Sequence, residues 1–468
     1  MQEMGEDPLA LLPEIVLLAG VVGTLLLALW TPRHAQARIR WLGIAAAAVS
    51  TVLAVPGLLG RPEEVYGGTW VIDPLTGAVR VAAPLAAILV LLLSAPAFRG
   101  HRREGEVTVL VLLAVLGANA LAASGDLLML SAAYLLASVP LYALVGFRKD
   151  EAGTEAVLKY YLVGALSGVV LLVGTAAVVL ATGTTGYDGI ASTISGAPAP
   201  LVALGIIGVL IGVLFKIGAV PAHFWVPDTV AGTSTAVAAL VTTVPKLGAL
   251  VAAQRLATGP FEQAPVNVVL VLAVVATASM TLGNLAAFRQ DDVHRLLAYS
   301  SISQVGYLLV IVAAAPATPL ATPALVVYLI GYAVTNVGAF AVAAAAPEAR
   351  RLDDWAGLAR QNPWLAAALV VHLLGLVGTP PTVVFVGKLL AFGAAAEAGL
   401  IWLVVVAALN TVASLYYYLR WLAPVYGGTQ AGIGSESRLE PGPVRVAVGS
   451  AIAVLVLGLA SGVVAVVA

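Results

Sequence analysis

The chain has 468 residues, of which 61% are hydrophobic and only 10% are Asp, Glu, Lys or Arg, where a soluble domain carries roughly 25% charged residues. The net charge of −1 specifies no partner, and no motif points to nucleic acid. With no cysteine, the chain can form no disulfide, thiolate metal site, iron–sulfur ligation or cysteine nucleophile.

Charge-free apolar stretches of about 20 residues, enough to cross ~30 Å of hydrocarbon, recur from one end to the other. The acidic start, residues 1–8, lacks the basic region of a cleaved signal peptide, so the run from Leu9 reads as a retained first span. The pattern predicts an all-α polytopic membrane protein of about fourteen transmembrane helices. They fall at 9–30, 41–59, 75–98, 107–122, 127–147, 156–181 and 201–220. In the second half they fall at 235–256, 266–288, 293–314, 323–345, 363–397, 401–421 and 444–467.

The basic residues test that layout independently. Loops after odd-numbered spans hold sixteen, running from Arg33 to Arg445 and including Arg102 and Arg438, whereas the other loops hold only Arg61 and Arg255. Cytoplasmic loops are the ones enriched in Lys and Arg, so both termini are expected outside the cytoplasm. Arg80, Lys159, Lys216, Lys246 and Lys388 lie in or at the ends of spans. The chain has 18 arginines but five lysines, and four of the five are in this group. Arginine keeps its proton, whereas a desolvated lysine can release one. Ionisable residues inside a membrane are therefore candidates for function.

Two spans are expected to break in mid-membrane. The seventh ends in Phe215-Lys216-Ile217-Gly218-Ala219-Val220-Pro221, and the twelfth contains Gly378-Thr379-Pro380-Pro381 followed by Gly387-Lys388. Proline removes a backbone donor and forces its predecessor out of helical geometry, so freed backbone groups must face a polar cavity. Five helices separate the breaks, an odd number, which predicts two inverted five-helix repeats. The expected organisation is an N-terminal three-helix segment (1–106), a first repeat (107–257), a second (266–422) and a C-terminal helix (423–468).

Lys216 lies one turn before a break, near His223, Asp228 and Thr229. It reads as a proton-accepting site, or else as a lysine snorkelling from a helix end. Lys246, after Pro245 in the eighth span, is too deep to snorkel easily; its bland reading is a cap on carbonyls freed by that proline. Lys388 gives the second half its own lysine. His223 and His294 are edge histidines that could relay protons, though such histidines are commonly just solvated. His372 is expected either between lysines as a relay or as a hydrogen-bonded packing residue. Glu14 is expected near the outer interface, Arg80 to snorkel, and Tyr416, Tyr417, Tyr418 and Trp421 to form an interfacial aromatic belt. No phosphate loop, metal-ligand spacing, haem site or nucleophile triad is present.

Several segments together resemble one family. They are Leu11-Leu12-Pro13-Glu14-Ile15, Glu155-Ala156-Val157-Leu158-Lys159-Tyr160-Tyr161, Pro221-Ala222-His223-Phe224-Trp225-Val226-Pro227-Asp228 and Thr243-Val244-Pro245-Lys246. Gly283-Asn284-Leu285, Arg295-Leu296-Leu297-Ala298-Tyr299-Ser300-Ser301 and Gly378-Thr379-Pro380-Pro381 continue the series. In that order they are similar to the antiporter-like membrane subunits of respiratory complex I, the proton-pumping NADH–quinone oxidoreductase, and among these to subunit N.

The resemblance implies a translocase subunit of a bacterial inner (plasma) membrane with no redox cofactor or catalytic site of its own. FMN, iron–sulfur clusters and quinone would reside on other subunits, with quinone met only indirectly. Its partners would be the lipid bilayer and the other membrane-arm subunits, and the family's proton-path lysines fall on Lys216, Lys246 and Lys388. One departure stands out. Members usually carry a glutamate in the fifth span that pairs with the seventh-span lysine, and Leu135 takes its place here. The readings left open are a multi-subunit cation/proton antiporter or membrane-bound hydrogenase subunit, and a divergent, non-pumping structural subunit.

Overall fold

A computed structural model describes residues 7–101, 103–427 and 439–467, with side chains described as far as 461. Arg102, Arg438 and the first six residues of the acidic start lie outside the described residues. The chain is helical from α1 (Leu12–Trp30) and α2 (Ala37–Leu59) onward. An antiparallel hairpin of β1 (Glu63–Val65) and β2 (Trp70–Ile72) leads into α3 (Pro74–Phe98) and α4 (Glu104–Ala123). Then come α5 (Leu127–Leu136), α6 (Val139–Val145), α7 (Glu151–Thr182), α8 (Tyr187–Thr193), α9 (Ala199–Ile217) and α10 (Trp225–Gly232). The remainder comprises α11 (Thr235–Thr258), α12 (Val268–Ala287), α13 (Val293–Ala314), α14 (Ala321–Ala345), α15 (Leu358–Gln361), α16 (Pro363–Val377), α17 (Val383–Glu397), α18 (Ile401–Gly427) and α19 (Pro441–Val467). Among the described residues thirteen helical segments are long and apolar enough to cross a membrane, with α5 and α6 counted as one. The shorter α16 and α17 together make up the predicted twelfth span.

Helices are the form this sequence must take in lipid, because each satisfies its own backbone, and their ends are closed by side chains. Asp73, Asp126, Asp150, Ser234, Asp292 and Asn362 each accept a hydrogen bond from a first-turn backbone N–H. Three predicted spans are interrupted. The seventh stops at Ile217, the twelfth splits between Val377 and Val383, and the fifth, expected to be continuous, breaks at Ala137 and Ser138. Pro140 sits in the first turn of the second piece, where its missing donor is harmless.

The centre consists of α11 and α13, buried along nearly their whole length, with α14 packed against both and against α3, α16, α17 and α19. Close approach depends on small residues. A Cβ on Gly248 of α11 would lie 2.1 Å from the carbonyl oxygen of Ala118 on α4. G248V should therefore force α4 and α11 apart at a cost of about 1–3 kcal/mol. A lowered thermal midpoint of the purified protein in detergent would show it, and an unchanged midpoint would refute the packing argument.

Two expectations about this outer framework need correction. Arg80 does not snorkel: it is 2% exposed and forms a two-pronged ion pair with Glu14, at 2.8 Å on each arm. Glu14, in the first turn of α1, is itself 6% exposed and accepts from Asn119 on α4 at 3.2 Å. The aromatic belt is also wrong in part. Tyr416 faces outward, but Tyr417, Tyr418 and Trp421 are fully buried, and the Tyr418 hydroxyl bonds the Ser300 hydroxyl at 2.6 Å.

Candidate functional site

Lys216, Lys246 and Lys388 are 1%, 0% and 3% exposed, and among the described residues none has a carboxylate partner. Each is held by hydroxyls and carbonyls. Lys216, in the last turn of α9, donates to the Ser138 hydroxyl and to Ala137 O at 3.3 Å, and its ammonium lies 4.8 Å from the centre of the Tyr134 ring. Its partners are thus the unpredicted break between α5 and α6. Of the polar residues expected near it, Asp228 is bonded instead to Arg295 at 2.7 Å and Lys159 at 2.8 Å. His223, although buried, hydrogen-bonds Pro221 O at 3.3 Å. Lys159 is a surface residue, 47% exposed, and so leaves the group of intramembrane lysines.

Leu135 is 50% exposed and lines, with Ser138 and Tyr134, a lateral apolar groove of about 520 Å³. Leu135 thus places an alkyl side chain one turn from the hydroxyl to which Lys216 donates.

The two helix breaks are built alike. Gly218 closes α9 with φ +78°, and Gly378 closes α16 with φ +89°, a left-handed conformation that glycine adopts without strain. At each break the freed carbonyls are bonded again. The N–H groups of Gly218 and Ala219 return to Leu214 O, and those of Gly378 and Thr379 return to Leu374 O. The Val220–Pro221 and Pro380–Pro381 bonds are cis. Each glycine also faces a lysine. A Cβ on Gly218 would lie 3.6 Å from Nζ of Lys246, and one on Gly378 would lie 2.8 Å from Cδ of Lys388. Both ammonium groups therefore sit beside the C-terminal end of a half-helix, where the negative pole of the backbone dipole favours a cation. Lys388 donates directly to Leu376 O at 3.2 Å and Val377 O at 2.8 Å, and lies 3.8 Å from the Tyr307 ring centre.

Between Lys246 and Lys388 run two helices whose polar residues hydropathy did not single out. Lys246 donates to the Ser301 hydroxyl of α13 at 2.9 Å. One turn on, Gln304 donates to Leu376 O at 2.7 Å, the same carbonyl that Lys388 uses, and accepts from the Tyr328 hydroxyl of α14 at 2.8 Å. Two turns of α14 away, Asn336 donates to the Thr242 and Thr243 hydroxyls of α11 at 3.0 and 2.8 Å, and Tyr332 donates to Thr242 O at 2.7 Å. The structure stacks these residues as a buried polar ladder along α13, the Lys246–Ser301 pair one helical turn from the set formed by Gln304, Tyr328 and, through Leu376 O, Lys388.

His372 lies beside it rather than in it. Its Nε2 is 3.0 Å from Ala447 O and 3.1 Å from the Ser450 hydroxyl, both on α19. His294, expected to be at a solvated edge, is 1% exposed and bonded to Thr235 at 2.9 Å. Among the described residues no group of three or more His, Cys, Asp or Glu is placed to hold a metal ion.

The chain is similar to known proteins over nearly its full length. The family model described as NADH:quinone oxidoreductase/Mrp antiporter, TM, matches residues 124–414. NADH-quinone oxidoreductase subunit N 1 of Streptomyces griseus is 50% identical over 461 residues, 98% of either chain. Subunit N of a Mycobacterium species is 47% identical over 90% of either chain. Among solved structures, a chain of respiratory complex I from Thermus thermophilus superposes with a TM-score of 0.83 at 32% identity, covering 97% of this chain and 98% of that one.

Proposed function

The chain belongs to the family of NADH-quinone oxidoreductase subunit N, the antiporter-like subunits of the complex I membrane arm, and on that footing we propose that its buried lysines carry protons across the bilayer. It is a multi-pass subunit of a respiratory enzyme; the energy for pumping would come from quinone reduction elsewhere in the complex. One observation carries the reading: ammonium groups held without counter-ions at the core of a membrane protein, two of them tied to one ladder of hydroxyl and amide side chains. Keeping such groups desolvated is expensive, and a lysine poised between charged and neutral forms is what proton transfer requires.

In this reading protons enter from the cytoplasmic side near Lys216, pass to Lys246, cross the ladder of α13 and α14, and leave outward by way of Lys388. The matching glycine-capped breaks, each facing a lysine, support two inverted five-helix units at 107–257 and 266–422. The arginine-rich end, where Asp228, Asp291 and Asp292 are ion-paired with Arg295, Arg420 and Arg350, would face the cytoplasm, with both termini on the other side. His223 and His372 would act beside the lysine path, in keeping with their bonds to Pro221 O and to α19.

The test is the proton-to-electron ratio of the assembled complex in sealed vesicles. A K388M complex should pump fewer protons per electron, with a smaller fall in electron transfer. An unchanged ratio would rule Lys388 out of the path.

A further inference from the structure

We infer that His294 and Thr235 form a separate proton intake at the arginine-rich end, feeding Lys246 without passage through Lys216; this rests on the reading of Lys246 as a proton-exchanging group. α11 and α13 begin side by side, and His294 Nε2 meets the Thr235 hydroxyl at 2.9 Å. Further along the same pair of helices Lys246 meets Ser301. His294 and Ser301 are seven residues apart, two helical turns or about 10.5 Å, on one face of α13. Thr235, Thr242 and Lys246 follow at i, i+7 and i+11 on one face of α11. The two contacts therefore mark the ends of a single seam.

The seam has polar side chains part-way along it. Thr242 accepts from Asn336 through its hydroxyl and from Tyr332 through its carbonyl. Two buried atoms in this neighbourhood have no partner, Nδ1 of His294 and Oδ1 of Asn336, although buried polar atoms are nearly always bonded. Lys216 offers no comparable link, since its hydrogen bonds go to Ala137 and Ser138 alone.

His294 lies among the charged pairs of the arginine-rich end. Asp292, two residues before it, is paired with Arg350 at 3.3 Å, and Arg295 beside it is paired with Asp228. The ring of Phe340 on α14 lies 6.5 Å away, centre to centre. The two nitrogens of an imidazole allow uptake of a proton at one and its release from the other. Nδ1 is enclosed, so a proton entering as hydronium from the arginine-rich end reaches it only when the neighbouring ion pairs open; an N–H bond then forms at Nδ1, water is left behind, and the N–H bond at Nε2 breaks. Thr235 accepts that proton as its own hydroxyl proton moves on, through water along the seam, to a neutral Lys246.

The test uses the assembled complex in sealed vesicles and compares H294Q, K246M, K216M and the doubles H294Q/K246M and H294Q/K216M. Glutamine keeps a donor and an acceptor but cannot become a cation. H294Q should lower the proton-to-electron ratio toward that of K246M. H294Q/K246M should pump no worse than K246M, as groups in series do, whereas H294Q/K216M should pump less than either single variant. If H294Q does not assemble, T235V, which removes only the hydroxyl partner, should show the same fall and the same pattern in its doubles. A ratio equal to the unmodified complex in H294Q, or in T235V where that variant must stand in, overturns the intake while leaving the lysine path intact. An unchanged ratio in K246M overturns the lysine path itself.

Discussion

Replacing Lys246 with methionine is expected to abolish proton translocation through this subunit while lowering quinone reduction by the complex to a lesser extent. Lys246 is the fully buried lysine at the middle of the architecture. It stands on the central helix α11, across from the broken end of α9 at Gly218, and in contact with Ser301. Both routes described above converge on it, one arriving by way of Lys216 and one along the α11–α13 seam. Methionine is of similar volume and brings no charge into the interior. The loss should therefore be one of proton exchange rather than of folding, because methionine relieves the cost of keeping an unpaired ammonium out of water. Equal amounts of assembled complex with a reduced proton-to-electron ratio are the expected pair of measurements. Failure to assemble would show instead that the ammonium is needed to hold α9, α11 and α13 together.

The second large effect is on stability and lies far from the lysines. R80M should destabilise the protein by about 3–5 kcal/mol, because it leaves the Glu14 carboxylate buried with only Asn119 as a side-chain partner. The pair joins α1 to α3, and Asn119 adds α4, so its loss loosens α1 from α3 and α4. E14M/R80M removes both charges and should recover most of the loss. Thermal midpoints of the two variants in detergent distinguish the cases. A double variant no more stable than R80M would mean that the pair stabilises by more than mutual neutralisation.

Much of this architecture could be read from the chain, for reasons that also explain what could not. An ionisable side chain in an apolar run is conspicuous, so Lys216, Lys246 and Lys388 were legible, as were the breaks at Gly218-Pro221 and Gly378-Pro381. The break in the fifth span was not. Ser138-Val139-Pro140 is a helix start, but the hydrophobic run continues through it and hides the interruption. Uncharged polar residues fare worst, since Ser301, Gln304, Tyr328 and Tyr332 hardly change the hydropathy of α13 and α14. Their role depends on which helices face one another. The same holds for Arg80, whose partner lies 66 residues away in sequence. Tyr416, Tyr417, Tyr418 and Trp421 have the composition of an interfacial belt, and only packing separates the first, facing outward, from the other three.

Lys246 must give up its proton as well as hold it, and arginine in its place separates the two. A K246R complex keeps a cation at the centre of the membrane but cannot discharge it. Protons translocated per electron in sealed vesicles should fall to the level of K246M. A K246R complex that pumps at the unmodified ratio would show that only fixed positive charge is needed there, and would contradict the account.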